Sequence, residues 1–160
     1  MTGRELLDEL EAQEIRLVFD RFDEDTAWAL GVRLREAALS AEAPVVISIR
    51  RNGQRLFHAA LAGASPDNDG WLDRKCAVVD RYGRSSLRVG EQFRVDGKSF
   101  DQDSRLDISE YAAHENRERT PVRGVGCIGT VAVSGLPQLE DHRLVVETLE
   151  VFLATRDAAT

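Results

Sequence analysis

The spacing of apolar residues at the start of the chain predicts a helix. Three leucines, the last of them Leu10, form a narrow apolar stripe at helical spacing. Thr2 and Glu5 match the capping box, in which each side chain bonds the backbone N–H of the other residue. Residues 1–15 are therefore expected to form a helix that precedes the core.

A short strand and a second helix follow. The segment Leu17–Phe22 has the pattern typical of a strand. Asp23–Asp25 then place acids at a helix amino terminus, where the helix dipole favours negative charge. The helix is expected to end near Pro44. It should turn these residues toward one side: Ala27, Trp28, Leu30, Gly31, Leu34 and Ala38.

The strongest short-range signal in the chain is a β-hairpin around Asn52-Gly53. Two strand-like runs, Val45–Arg51 and Gln54–Leu61, flank this dipeptide, which is typical of a two-residue turn. Such a turn fixes the register, and both faces of the hairpin then carry apolar side chains. The sheet therefore needs helices on both sides, which predicts an α+β fold with three layers, helix–sheet–helix. The predicted cross-strand pairs are Arg50 with Arg55, Ile49 with Leu56, Ser48 with Phe57 and Ile47 with His58.

A third helix, which follows the turn- and cap-favouring residues Pro66, Asp67, Asn68 and Gly70, contains an unusual lysine. Two explanations of Lys75 stay open. Its aliphatic stem could lie along the core with the ammonium in water, or its charge could be held for an anion, a carboxylate or a cofactor. The residues that share one face at helical spacing are Trp71, Lys75, Val78, Val79 and Tyr82.

The second half of the chain contains a second hairpin and a last helix. Ser85–Arg94 fits either a helix or a strand. Two hairpins favour an antiparallel sheet over a parallel one. The other predicted segments are a polar loop at Val95–Arg105, a short helix at Asp107–Ala113 with Asp107 as its cap, a charged loop at His114–Thr120, a hairpin at Val122–Ser134 that turns at Arg123-Gly124, and an amphipathic helix at Leu139–Leu153.

Composition limits the class of protein. The chain has 160 residues, which suits one domain over residues 1–160, and a formal net charge of -7. This charge argues against nucleic acids and anionic membranes as partners. No apolar run approaches the roughly 20 residues that span a bilayer, and no signal-peptide core is found near the amino terminus. Cys76 and Cys127 lack disulfide-framework or zinc-site spacing, so we expect two buried free thiols in a reducing cytoplasm.

Patterns that resemble cofactor or catalytic motifs lack the required context. Gly124–Gly129 matches G-x-G-x-x-G, but strand residues follow it where a dinucleotide site requires a helix. We interpret it as a strand that another backbone or a ligand approaches closely. Ser134, Asp141 and His142 lack the sequence context of a hydrolase triad. The three histidines lack zinc-site spacing, so no metal site is predicted.

Five basic residues lie close together in this acidic chain. The window Arg74–Arg88 contains a single acid, Asp80. The cluster either recognises carboxylates or phosphates through forked hydrogen bonds or forms intersubunit ion pairs with the surplus acids. Both alternatives stay open. The basic residues are Arg74, Lys75, Arg81, Arg84 and Arg88.

Segments spread over nearly the whole chain carry a family resemblance. They are Arg16–Ala27, Ile49–Gln54, Ser65–Asn68 with Trp71 and Arg74-Lys75, Val78–Arg81 with Gly83–Ser86, Tyr111–His114, and Gly124–Gln138. With them the chain resembles the haem-degrading-domain family, the GlcG–HbpS-like proteins, and within it a branch found in bacteria and fungi. One departure is the charged run His114–Pro121, which stands where that branch has a Gly-Gly-x-Phe-Pro loop.

The resemblance implies a profilin-like α/β/α sandwich around an antiparallel sheet of about five strands. It also implies assembly of identical chains into dimers or higher rings. Some relatives bind haem or are associated with its degradation, and others accompany glycolate-type metabolism. Haem is therefore the cofactor to test, although the sequence shows no flavin or iron–sulfur motif that would support oxidative haem breakdown.

Two functional hypotheses follow. In the first, the protein is a cytoplasmic homo-oligomer that binds haem or another small anionic ligand. Lys75, Arg74 and Arg84 would supply charge, and His114 or His58 would be the axial or polar ligand. In the alternative, it is a non-enzymatic interaction or scaffold protein whose basic cluster forms an oligomer interface. The candidate ligand-binding residues are Asn68, Trp71, Arg74, Lys75, Arg84, Ser85, Ser86, His58 and His114.

Overall fold

The computed structural model describes the backbone of residues 1–113 and 117–158, and the side chains of residues 1–113 and 120–156. Within the described helices, none is long and apolar enough to cross a bilayer. The elements are α1 (Gly3–Arg16), α2 (Glu24–Ser40), β1 (Val46–Arg51), β2 (Gln54–Ala60), α3 (Pro66–Tyr82), α4 (Ser86–Val95), α5 (Phe100–Asp103), β3 (Arg117–Val122), β4 (Gly126–Ser134) and α6 (Gln138–Ala158).

The four strands form one antiparallel sheet in the order β2-β1-β4-β3. The predicted strand Leu17–Phe22 is reduced to a single parallel bridge between Phe19 and Val122. The Phe19 amide donates to the Pro121 carbonyl at 2.8 Å, and its carbonyl accepts from Arg123 N at 2.8 Å. The sheet therefore has four strands and one bridge, where the resemblance implied about five strands.

Helices cover both faces of the sheet, which confirms the three-layer α/β/α architecture. On one face α2 and α6 enclose the main core with alternate residues of the strands, among them Ile47, Ile49, Val131 and Val133. On the other face α3 packs through Leu72 against Val46 and Ala132, and α4 and α5 extend this layer. Alternation along each strand supplies both cores, because successive side chains point to opposite faces.

The predicted register of the first hairpin is wrong beyond its turn. Arg50 does lie opposite Arg55, but an irregularity between Ile49 and Arg50 shifts the strand by one residue. Ile49 therefore pairs with Phe57, and Ser48 pairs with His58. A shift of one residue moves every later side chain to the opposite face. Phe57 consequently joins the main core, and His58 lies on the face that α3 covers.

Trp28 does not lie in the core as the sequence predicted. Its side chain is 62% exposed, and its ring meets the Phe57 ring edge at a centroid distance of 5.5 Å. Gly31 explains the arrangement, because a Cβ at Gly31 would lie 2.3 Å from the Phe57 ring. The bare backbone of Gly31 thus admits Phe57 against α2, and Trp28 covers the Phe57 ring from outside.

Several connecting segments also differ from the sequence predictions. The polar loop contains the short helix α5, and Ser86–Val95 is a helix, which settles that ambiguity. Asp107 caps a turn, accepting from Ser109 N at 2.8 Å, and no helix follows it. Residues 117–120, predicted as part of a charged loop, belong to β3 because pairing with β4 overrides their polar composition.

The first helix is fixed to α4 by one buried carboxylate. Glu14 is 2% exposed; it accepts from Ser85 N at 2.8 Å and pairs with Arg88 at 2.5 Å. Burial lowers the pKa of Arg88, but the bonds to Glu14 and Glu11 outweigh burial and hold that pKa above its ordinary value. The helix predicted at residues 1–15 therefore packs on the domain, and its Thr2–Glu5 capping box is confirmed.

Candidate functional site

Helix α3 begins at Pro66, so the residues predicted to favour a turn or a helix cap belong to its first turns. Ser65 is its N-cap, and Asn68 Oδ1 accepts from Ser65 N at 2.8 Å in a capping box, with Pro66 in the first turn. Gly83 ends the helix with a left-handed backbone at φ 64°, a conformation that favours glycine. The Asn68 side chain, predicted as a ligand contact, is therefore engaged in capping the helix.

Lys75 is completely buried between α3 and the sheet. Its exposed fraction is 0%, and Nζ donates to Ser134 Oγ at 3.3 Å. The snorkelling explanation is thereby excluded, because the ammonium does not reach water. One residue further, Cys76 Sγ lies 3.2 Å from Thr130 Oγ1. α3 therefore meets β4 through polar side chains as well as through its apolar residues.

Arg74 lies against an aromatic ring on the flank of α3. Its guanidinium carbon is 4.4 Å from the centroid of Trp71, a cation–π geometry. The Arg74 Nε is buried and has no hydrogen-bond partner among the described residues. A buried N–H without an acceptor is costly, so this atom marks a place where an acceptor would be favourable.

A cleft of about 690 Å³ opens at the carboxyl end of α3, and we call it the α3 cleft. The turn of the first hairpin, the end of α3 and the start of β4 form its walls. Cys127 is exposed on this wall, so the prediction that both thiols are buried is wrong for Cys127 and confirmed for Cys76. The lining side chains include Asn52, Val79, Asp80, Arg81, Tyr82, Cys127 and Ile128.

The α3 cleft joins apolar and polar groups in one concave surface. Ile128 offers apolar contact, Tyr82 offers a ring with a hydroxyl, and Arg81 offers a forked cation, whereas Val79 is completely buried behind them. The Arg81 guanidinium also lies 5.9 Å from the Tyr111 ring centroid. Arg81 and Tyr82 appear in the sequence as part of the basic cluster and of the apolar stripe. Only the fold shows that they meet the Asn52 turn.

The histidines predicted as ligands have different outcomes. His58 Nε2 lies 3.2 Å from Asp69 Oδ1 on the flank of α3 that faces β2, and the His58 side chain is 38% exposed. It is therefore neither a core histidine nor a lining residue of the α3 cleft. His114 lies outside the described residues.

The remaining predicted residues do not form one site. Ser85 is buried and caps α4, with Oγ accepting from Arg88 N at 3.3 Å, and Ser86 is buried beside it. Arg84 is exposed. Arg88 pairs with Glu14 and Glu11 of its own chain, and Lys75 faces the sheet, so the five basic residues do not make a single patch.

The motifs set aside from sequence have structural roles. A Cβ at Gly129 would lie 1.9 Å from the Arg50 carbonyl oxygen, so this glycine allows close approach of β1 to β4. Asp141 accepts from the amides of Gly135 and Leu136, while His142 Nε2 lies 2.6 Å from Gln13 Oε1. These side chains form no triad with Ser134. Within the described residues no group of three His, Cys, Asp or Glu could hold a metal ion.

Comparison with known proteins identifies full-length relatives. Residues 22–150 match the family described as haem degrading protein HbpS-like. The UPF0303 protein SCO2848 of Streptomyces coelicolor is 59% identical over 145 residues, which cover 91% of this chain and 92% of that protein. A UPF0303 protein of Azotobacter vinelandii is 45% identical over 150 residues, covering 94% and 90% of the two chains.

Solved structures share the fold. The crystal structure of the Ybr137w protein matches with a TM-score of 0.84 at 32% identity, covering 91% of this chain and 87% of that one. HbpS matches with a TM-score of 0.65 at 16% identity, covering 83% and 90%. The PduOC:heme complex matches at 0.66 and 16% identity, covering 82% and 94%. At 16% identity these last two matches establish the fold alone.

Proposed function

The chain belongs to the haem degrading protein HbpS-like family, and we propose that it binds a planar, anionic small molecule, haem or a related tetrapyrrole, in the α3 cleft. One observation carries the proposal. The cleft brings together the Arg81 cation, the Tyr82 ring and the partly exposed Ile128 side chain within a chain of net charge -7. Its volume of about 690 Å³ falls in the range typical of ligand sites.

The chemistry of a tetrapyrrole suits these lining groups. Its flat apolar ring would lie on Tyr82 and Ile128, and a propionate would accept the forked N–H groups of Arg81. Arg74 does not line the α3 cleft, so Arg81 is the cation of this proposal. The crystal structure of the PduOC:heme complex is that of a protein with the same fold bound to haem, which supports the choice of ligand.

Iron would add the need for an axial ligand. Cys127, which carries an exposed thiol, and Tyr82, which carries a phenol, are residues of the cleft wall with the chemistry to bind iron. His114 and His58 stay in the proposal as the candidates that the sequence offers. A thiolate, a phenolate and an imidazole give different absorption spectra, so spectroscopy separates these choices.

Titration with haem tests the proposal directly. We expect a saturable Soret shift at micromolar haem, weakened about tenfold or more by Arg81→Glu because the propionate then meets a carboxylate. Tyr82→Ala should also weaken binding. Arg143→Glu, the same charge change on the exposed side of α6, serves as the matched control. No saturable shift, or equal effects of Arg81→Glu and Arg143→Glu, would overturn binding in the α3 cleft.

Two further titrations define what is recognised. Metal-free protoporphyrin should bind with similar affinity if the ring and propionates dominate, and more weakly if the iron ligand dominates. Cys127→Ser, His58→Ala and His114→Ala then identify the axial residue by loss of its spectrum. If all three variants keep the spectrum of the parent protein, the iron is held by another group.

A cytoplasmic homo-oligomer is part of the same proposal. The exposed free thiol of Cys127 suits a reducing compartment. A non-enzymatic scaffold is the second candidate, and the observation that favours it is the exposure of Arg81 and Arg84. If the protein is a scaffold, the double variant Arg81→Glu with Arg84→Glu should lower the mass of the assembly. Addition of haem to the parent protein should then give no saturable Soret shift.

A further inference from the structure

The turn of the first hairpin places the dipeptide Asn52-Gly53 on the wall of the α3 cleft. Both residues are exposed and both have a left-handed backbone, with φ 49° for Asn52 and 82° for Gly53. A two-residue turn requires this conformation, which Asn and Gly adopt more readily than other residues. The turn accounts for the backbone of Asn52 and gives no role to its side chain, which makes no hydrogen bond with the described residues.

An asparagine that precedes a glycine carries a reactive side chain. The backbone nitrogen of the following residue can attack the asparagine Cγ, and glycine has no Cβ to hinder that approach. The chain has three asparagines, and only Asn52 precedes a glycine. Asn68 caps α3 through its Oδ1, and Asn116 precedes an arginine. Asn52 is therefore the asparagine of this chain that is chemically suited to react with its own backbone.

The Gly53 amide nitrogen is free to act as the nucleophile. It makes no hydrogen bond with the described residues, and a Cβ placed on Gly53 would meet nothing within 4 Å. The Asn52 N–H, in contrast, donates to the Ile128 carbonyl at 2.7 Å and holds the turn against β4. The tip of the turn must rotate to bring the Gly53 nitrogen to Cγ, and exposed loop tips open at low free energy. The product therefore accumulates slowly, with the age of the protein.

We propose that Asn52 is a site of spontaneous deamidation, and that the carboxylate it produces weakens the binding of anions in the α3 cleft. The Gly53 nitrogen loses its proton and forms a bond with the Asn52 Cγ, while the Cγ–Nδ2 bond breaks and ammonia leaves. Water then opens the five-membered succinimide ring and gives aspartate or isoaspartate. The reaction consumes one water, releases one ammonia and needs no other reactant.

The added carboxylate would make the α3 cleft negative. Among the described residues that line it, Arg81 and Asp80 carry the charges, so the two balance each other. A carboxylate at residue 52 adds a second negative charge, and it would compete with a ligand for the forked N–H groups of Arg81, whose guanidinium forms no ion pair with the described residues. This consequence rests on the proposed function, because it requires a cleft that binds an anion.

Mass spectrometry tests the modification without any ligand. The parent protein, kept in mildly alkaline buffer, should gain the mass difference between a carboxylic acid and an amide, and a peptide digest should place the gain at Asn52. Asn52→Gly leaves a Gly-Gly pair that still suits the turn and removes the amide, so it should gain no mass. Asn68 is the internal control. A parent protein that keeps its mass, or that gains as much at Asn68 as at Asn52, would overturn the proposal.

Asn52→Asp carries the charge of the product and tests its effect on the cleft. Asp-Gly is also typical of a two-residue turn, so the hairpin should be kept. At low salt, haem should bind Asn52→Asp roughly threefold to tenfold more weakly than the parent protein, and salt should reduce the difference by screening the charge. Gln102→Glu makes the same change of an amide to a carboxylate at an exposed residue of α5, away from the cleft, and should bind as the parent does.

The outcomes of the two measurements separate this proposal from the proposed function. Equal affinities of Asn52→Asp and the parent protein would overturn the weakening of anion binding, as would an equal loss in Gln102→Glu. A parent protein that gives no saturable Soret shift would overturn the proposed function and the weakening with it. The mass measurement decides the deamidation of Asn52 in either case, because it needs no ligand.

Discussion

The Nζ of Lys75 donates to the Oγ of Ser134 across 3.3 Å, inside the contact of α3 with β4. Lys75 is 0% and Ser134 2% exposed, so the bond lies away from water. The two residues are 59 positions apart in the chain, and their bond joins one helix to the sheet it covers. A buried ammonium depends on such acceptors, because it has lost the water that would otherwise solvate it.

Removal of the Ser134 hydroxyl should therefore destabilise the protein. Ser134→Ala takes an acceptor from a buried ammonium, and we expect the free energy of unfolding to fall by about 1–3 kcal/mol. Ser134→Thr keeps a hydroxyl on a strand residue and serves as the control. Urea unfolding of both variants measures the difference, and equal losses would mean that the hydroxyl of Ser134 does not stabilise Lys75.

Two glycines should respond in opposite directions to the same substitution. A Cβ at Gly129 would lie 1.9 Å from the Arg50 carbonyl oxygen, so Gly129→Ala must push β1 from β4. We expect a loss of about 3 kcal/mol. Gly70 lies within α3 and a Cβ there meets nothing within 4 Å, so Gly70→Ala should stabilise the helix by up to about 1 kcal/mol. Thermal unfolding measures the melting temperature of each variant against the parent protein. A shift of both melting temperatures in the same direction would contradict this account.

The parts of the fold that the sequence predicted depend on local chemistry. The Asn52-Gly53 turn and the Thr2–Glu5 capping box each require only a few neighbouring residues. The register of the hairpin was missed because the irregularity at Ile49 and Arg50 depends on packing against other elements. The strand β3 was missed because its polar residues become a strand only beside β4.

The candidate site was predictable to a smaller extent. Lys75 stands out in the sequence because it breaks an apolar stripe, but Ser134, its acceptor, lies on a strand formed much later in the chain. The α3 cleft needs three segments that are adjacent only in the folded protein. The basic cluster was over-interpreted, since Arg88 finds acids on α1. A sequence pattern shows that a charge is unusual, and only the fold shows what it faces.

Acid should weaken the cap of α2 through Asp23. Its carboxylate accepts from Thr26 N at 2.8 Å and Thr26 Oγ1 at 2.7 Å, and these bonds hold the pKa of Asp23 below its ordinary value. The folded protein thus binds this proton less readily than the unfolded chain. The stabilisation is complete above the unfolded pKa and is lost as the pH falls through the folded pKa.

We therefore expect Asp23→Asn to flatten the dependence of stability on pH below about pH 4. The comparison is urea unfolding at a series of acid pH values for the parent and the variant. Asp25→Asn removes a neighbouring carboxylate that makes no ion pair with the described residues, so it is the matched control. If the free energy of unfolding depends on pH in the same way for the parent protein and for Asp23→Asn, the Asp23 cap does not contribute to the loss of stability in acid.

The contact of α1 with α4 should depend on Glu14 far more than on Glu11, although both carboxylates bind Arg88. Glu14 is 2% exposed, and it also accepts Ser85 N, so Glu14→Ala leaves a largely buried guanidinium and a buried amide without their acceptor. We expect a loss of about 3 kcal/mol. Glu11 is 55% exposed, and Glu11→Ala should cost under about 1 kcal/mol, because water replaces an exposed partner. Urea unfolding of the two variants decides the matter: equal losses would mean that α1 is held by its leucines and not by the buried carboxylate.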